Sequence, residues 1–147
     1  MKHLLMDLPP LSTPFGDPHD PIIILDDDPD DAFQLRRILQ GANIHHPAVT
    51  FFNARRAIEY LTYLLRETPA FRPCLLLADL HMRPVDGFEF IAWVRKQRLF
   101  KKIPVIAFSG WELPSDAEKA IAAGANLCVE KFPKPDALRR LLLESPG

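Results

Sequence analysis

Cys74-Leu75-Leu76-Leu77-Ala78-Asp79 is an apolar run that ends on one carboxylate. Three other runs share that form. Pro21-Ile22-Ile23-Ile24-Leu25 ends on Asp26, Asp27 and Asp28. Ile103-Pro104-Val105-Ile106-Ala107-Phe108 ends on Ser109, and Leu127-Cys128-Val129 is followed by Glu130 and Lys131. Short, continuous apolar runs without polar alternation are the pattern of strands covered on both faces. In an open parallel sheet the carboxyl ends of such strands line one edge, where ligands bind. That edge then gathers a carboxylate cluster, a separate Asp, a hydroxyl and an ammonium. Such a set suits a divalent cation and a phosphoryl group.

Helical patterns separate the runs. Asp28-Pro29 opens a helix, Asp as N-cap and Pro at the first helical position, with Phe33, Leu35, Ile38 and Leu39 as its apolar stripe and Gly41 as its end. Ala48 to Phe52 is a second strand. Asn53 caps the next helix, whose stripe is Ala57, Ile58, Leu61, Leu64 and Leu65. Asp86-Gly87 starts a third helix, with Phe90, Ile91, Val94 and Leu99 inward. Ser115, with Glu118 three residues on, caps a fourth that stops at Gly124, and Pro135 to Leu143 is the fifth. Five strands alternating with five helices imply an α/β fold with a parallel sheet covered on both faces. Residues 1–20, with Pro9, Pro10, Pro14 and Pro18, read as a proline-rich tail, and residues 21–145 as one domain. The tail is either disordered or lies along the domain, and no second domain is expected after the fifth helix.

The bulk numbers exclude several classes. A net charge of −1 argues against nucleic-acid binding through a broad basic surface. No apolar run reaches the roughly 18 residues needed to span a bilayer, and the N-terminus is too short and too soon acidic for a secretory signal. A cytoplasmic location is expected. Cys74 and Cys128, both in strands, read as small buried hydrophobes rather than a disulfide or metal pair. His45-His46 reads as exposed loop, since no Cys or further His stands at ligand spacing.

Phosphoryl transfer to a side chain needs a nucleophile, and an Asp serves, giving an aspartyl phosphate. It needs Mg²⁺, a hard cation held by oxygen ligands. It also needs donors for the phosphoryl oxygens. Asp26 and Asp27 suit the metal, Asp79 serves as a further ligand and the acceptor, and Ser109 and Lys131 suit the phosphoryl oxygens. Each has a plainer reading alone: an acidic helix start, a loop residue, a turn cap, a surface charge. Their placement at four strand ends favours one site.

These stretches resemble the receiver domain of two-component response regulators. The resemblance is carried by Ile22 to Asp31, Leu75 to Phe90, Ile103 to Gly110 and Gly124 to Lys131, and covers about residues 20 to 145. It implies a flavodoxin-like, doubly wound (βα)5 fold with a five-stranded sheet in the order 2-1-3-4-5. It implies that Asp79 takes a phosphoryl group from a sensor histidine kinase or a phosphotransfer protein. Asp26 and Asp27 match the family's acidic pair, with Asp27 the direct metal ligand. The backbone carbonyl of His81 matches the third protein ligand, Ser109 the switch hydroxyl, and Lys131 the phosphate-pairing lysine. The output is contact with an unnamed downstream protein. Dimerisation through the fourth and fifth helices is compatible with the chain and not compelled by it.

Four departures from the family pattern stand out. Phe132 follows Lys131 where the family has a proline after a cis bond. A non-proline cis bond costs about 2.5–4 kcal/mol, so a trans bond is expected. Cys128 stands at the aromatic switch position. His81 lies two residues after the acceptor, with the usual proline displaced to Pro84. The second helix is long and carries Tyr60-Leu61-Thr62-Tyr63, resembling regulators paired with bacterial phytochromes. Trp111, after Ser109, marks a candidate partner surface. Two alternatives remain: a pseudo-receiver that binds partners without phosphorylation, and, more remotely, an aspartyl-nucleophile phosphatase. Against the latter, His81 stands where such enzymes carry a second Asp.

Overall fold

The computed structural model describes residues 3–5, 19–68, 72–110 and 113–143. Six strands form one sheet: β1 (His3–Leu5), β2 (Ile22–Leu25), β3 (Ala48–Phe51), β4 (Leu75–Asp79), β5 (Val105–Ser109) and β6 (Leu127–Glu130). They lie in the order β1-β6-β5-β4-β2-β3. The five strands β2 to β6 are parallel and carry the expected order 2-1-3-4-5. The difference is β1. His3–Leu5, within the expected tail, pairs antiparallel with β6, His3 opposite Val129 and Leu5 opposite Leu127. Residues 6–18, which hold all of the tail's prolines, lie outside the described residues, as does Trp111.

The side-chain alternation of each strand decides what covers it. Ile23, Leu25, Leu76, Ala78, Val105, Ala107 and Cys128 face one layer, made by α2 (Ala54–Glu67), α3 (Gly87–Lys96) and α4 (Leu113–Ala123). Ile22, Ile24, Leu75, Leu77, Ile106, Phe108, Leu127 and Val129 face the other, made by α1 (Pro29–Gly41) and α5 (Pro135–Leu143). With both faces covered, every residue of β2, β4 and β5 is buried, which is why those runs contain no polar alternation.

The caps hold as the sequence predicts at three helices. Asp28 accepts from the backbone N–H of Asp30 at 2.9 Å, Asn53 from Arg55 at 2.7 Å, and Asp86 from Glu89 at 2.9 Å. The fourth differs, because α4 begins at Leu113 and takes Ser115 into its first turn. Phe33 also differs. It is 60% exposed, while Ala32, Leu35, Ile38 and Leu39 form the buried stripe. The i, i+3, i+7 spacing from Ala32 sets the inward face, and Phe33 stands one position off it.

Gly124 ends α4 with φ +122°, and an added Cβ would strike the side chain of Arg95. Arg95 donates to the carbonyls of Gly124 (2.8 Å) and Phe100 (3.0 Å) and to Asn126 Oδ1 (2.9 Å). Asn126 Oδ1 also accepts from the backbone N–H of Val105 at 2.8 Å. One polar node therefore fixes the loop entering β6 to the start of β5.

Candidate functional site

Strand register sets the site. Leu25 lies beside Ala78, Asp79 beside Phe108, and Ser109 beside Glu130. The next residues, Asp26 after Leu25 and Lys131 after Glu130, therefore emerge at one edge with Asp79 and Ser109. Lys131 Nζ lies 2.7 Å from Asp26 Oδ2, 3.0 Å from Asp31 Oδ2 and 3.4 Å from Asp79 Oδ1. Among the described residues, Asp26, Asp27 and Asp79 form a group whose carboxylate oxygens lie within 4.8 Å of one another. Asp26 and Asp79 are buried and Asp27 is exposed.

Burial of like charges is costly, and the protonation of the site records it. Asp79 is pushed up to about 6, first by burial and then by the charges of Asp26 and Asp27, against the pull of Lys131. Burial also raises Asp26 above the usual carboxylate value, partly offset by its bond from Lys131 and by the N–H of Asp28, which donates to its Oδ1 at 3.0 Å. Burial alone would lower the Lys131 ammonium. Its bonds to Asp26 and Asp31 and the charge of Asp79 outweigh that and hold it above the ordinary lysine value. One ammonium thus faces three carboxylates, with Asp27 beside them. An all-oxygen, electron-rich cluster of this kind fits a hard divalent cation.

Gly87 lets the acceptor loop close. Its N–H donates to the Leu80 carbonyl at 3.0 Å, and an added Cβ would collide with the Asp79 carbonyl oxygen and stand 2.7 Å from Leu80 Cα. The Lys131–Phe132 peptide is cis, not trans as expected, so the strand end after Lys131 keeps the cis geometry without a proline. Arg83–Pro84 is also cis.

A second polar node lies on the α4 side. Ser109 Oγ donates to Asp116 Oδ2 at 2.6 Å, and His81 Nε2 lies 2.8 Å from the same oxygen. Ser109 and Asp116 are buried, at 0% and 2% exposure, and His81 is exposed. Cys128 is buried on this face, its thiol pushed up to about 12 by burial and then by the charge of Asp116.

The response regulator receiver domain, as a family model, matches residues 22–143. The chain belongs to that family. An uncharacterized 14.6 kDa protein in the sodA1 3′ region of Leptolyngbya boryana is 35% identical over 121 residues, covering 82% of this receiver and 86% of that protein. The two-component response regulator ARR17 of Arabidopsis thaliana is 28% identical over 117 residues, 75% of this receiver and 74% of its own length. The solved structure of the phosphorylated cyanobacterial phytochrome response regulator RcpA superposes with a TM-score of 0.70 at 23% identity, over 88% of this receiver and 99% of that chain. That likeness is one of fold. Among the described residues of the receiver, no helix is long and apolar enough to cross a membrane.

Of the residues singled out by sequence, the receiver brings Asp26, Asp27, Asp79 and Lys131 into one cluster. Ser109 stands at the same edge with its hydroxyl turned to Asp116, and His81 lies in the loop after Asp79. Two residues were missed. Asp31 lies in the acidic first turn of α1 with no local sign of a partner, yet it is the third carboxylate on Lys131. Asp116 is the other. The available signal was its position four residues before Ala120 and next to Ala117, on the buried face of α4, where a carboxylate needs a buried partner.

Proposed function

We propose that this receiver is a phospho-accepting response regulator working in the cytoplasm. It takes a phosphoryl group on Asp79 from a sensor histidine kinase or a phosphotransfer protein and signals by protein contact. The observation that carries this reading is the convergence of Asp26, Asp27 and Asp79 within 4.8 Å, with Lys131 3.4 Å from Asp79. Mg²⁺ would be held by Asp26, Asp27, Asp79 and the backbone carbonyl of His81. Bound there, it supplies positive charge to the transferring phosphoryl oxygens.

The chain's own residues do the rest. Asp79, at about 6, is mostly ionised at neutral pH and available as a nucleophile. Its Oδ forms the new bond to phosphorus as the bond to the donor's histidine nitrogen breaks. The electron pair leaves with the imidazole, which takes a proton from solvent. Lys131 and Ser109 donate to the phosphoryl oxygens. The chemistry is limited to the receiver's own phosphorylation and its hydrolysis. The pseudo-receiver reading has one observation in its favour, the engagement of the Ser109 hydroxyl by Asp116 at 2.6 Å.

Incubation with acetyl phosphate, with and without Mg²⁺, followed by intact mass spectrometry beside Asp79→Asn, decides between them. One added phosphoryl group that depends on Mg²⁺ and vanishes in the variant is the expected result. No addition under conditions that label another receiver would establish the pseudo-receiver.

A further inference from the structure

A hydroxyl carries one proton to donate. In this receiver the proton of Ser109 is committed to Asp116, across 2.6 Å, between two groups sealed from water. A short, charge-assisted bond in such surroundings is among the stronger hydrogen bonds a side chain can make. Ser109 cannot donate to Asp116 and to a phosphoryl oxygen at the same time.

We propose that Asp116 is a latch: it holds the Ser109 hydroxyl in the unphosphorylated receiver, and phosphorylation of Asp79 exchanges the Ser109–Asp116 bond for a Ser109–phosphoryl bond. The inference rests on the roles given to Asp79 and Ser109 above. Asp116 is thus a positioning residue, acting on the phosphoryl group through Ser109. Three features give the exchange a structural outlet. Asp116 belongs to α4, packed beside the buried Ala117 and Ala120. The same carboxylate oxygen meets His81, two residues beyond the acceptor, so one atom ties α4 to the loop after β4 and to the end of β5. Cys128, small and buried on this face, offers no ring to carry a signal to α4. Once the Ser109 hydroxyl turns to the phosphoryl group, the buried carboxylate keeps His81 and loses its second partner, and a shift of α4 would let water replace the lost bond.

Beryllofluoride with Mg²⁺, a phosphoryl mimic, titrated calorimetrically into the full chain tests the exchange. The proteins are wild type, Asp116→Ala, Ser109→Ala and the double variant, each first checked for cooperative unfolding. Asp116→Ala should bind about tenfold tighter than wild type, the size of one charge-assisted hydrogen bond. In the Ser109→Ala background the same change should give no gain, which a merely structural role of Asp116 would not produce. Asp116→Asn, which keeps the shape, should show a smaller gain of the same sign and serves if the alanine variant does not fold. No gain in the folded variants overturns the latch, as does an equal gain without the Ser109 hydroxyl. If wild type and variants alike take up no beryllofluoride, the acceptor reading itself fails and the latch with it. If all bind equally, only the latch fails.

Discussion

Asp79→Asn should stabilise the apo receiver at neutral pH, and the gain should vanish in acid. Asp79 is 7% exposed and its carboxyl is raised from 3.8 to about 6, chiefly by burial. The unfolded chain releases this proton near 3.8 and the folded chain keeps it to about 6. Folding therefore binds a proton between those values, and stability falls as pH rises through that window. At about 1.4 kcal/mol per pH unit, the charged carboxylate costs the folded state about 3 kcal/mol above pH 7. Asparagine removes that cost, and Lys131 keeps Asp26 and Asp31 as partners. Urea denaturation in EDTA at a series of pH values from 4 to 8 measures the difference between variant and wild type. It should rise from near zero at the acid end to about 3 kcal/mol at the alkaline end. Excess Mg²⁺ should narrow the gap by stabilising wild type. A variant less stable than wild type at pH 8, or a gap that does not change with pH, would refute the reasoning.

Lys131→Met strips the cation from the buried Asp26 and should cost about 3–5 kcal/mol at pH 8, less toward the acid end as that raised carboxyl protonates, measured by the same denaturation series. Gly87→Ala drives a Cβ into the Asp79 carbonyl and should lower stability by more than about 2 kcal/mol in urea. Asn126→Ala leaves the Val105 N–H and Arg95 without their shared acceptor and should cost about 1–3 kcal/mol, read from the thermal midpoint.

What the sequence made legible follows periodicity and local chemistry. The apolar runs that end on Asp26, Asp79, Ser109 and Lys131 predict both the parallel sheet and the edge where those residues meet, because burial on two faces leaves polar groups only at strand ends. Asp28, Asn53 and Asp86 were readable as caps because capping is decided within three residues. Asp116 and Asp31 were not, since their partners Ser109 and Lys131 lie 7 and 100 residues away and no local rule pairs them. The cis bond before Phe132 ran against the intrinsic preference of the peptide, where tertiary context overrides a local rule. The pairing of His3–Leu5 with β6 escaped for a related reason: three residues carry too little periodicity to register as a strand.

That short strand has a consequence for how the receiver behaves in a crowded solution. An exposed strand margin offers a row of unsatisfied amides and carbonyls on which foreign chains can grow. Without β1 the described sheet would present β6 as such a growth front. With it, the margin on that side shortens to the three residues of β1, and the margin at the far side of the sheet is the four residues of β3, so both margins are brief templates.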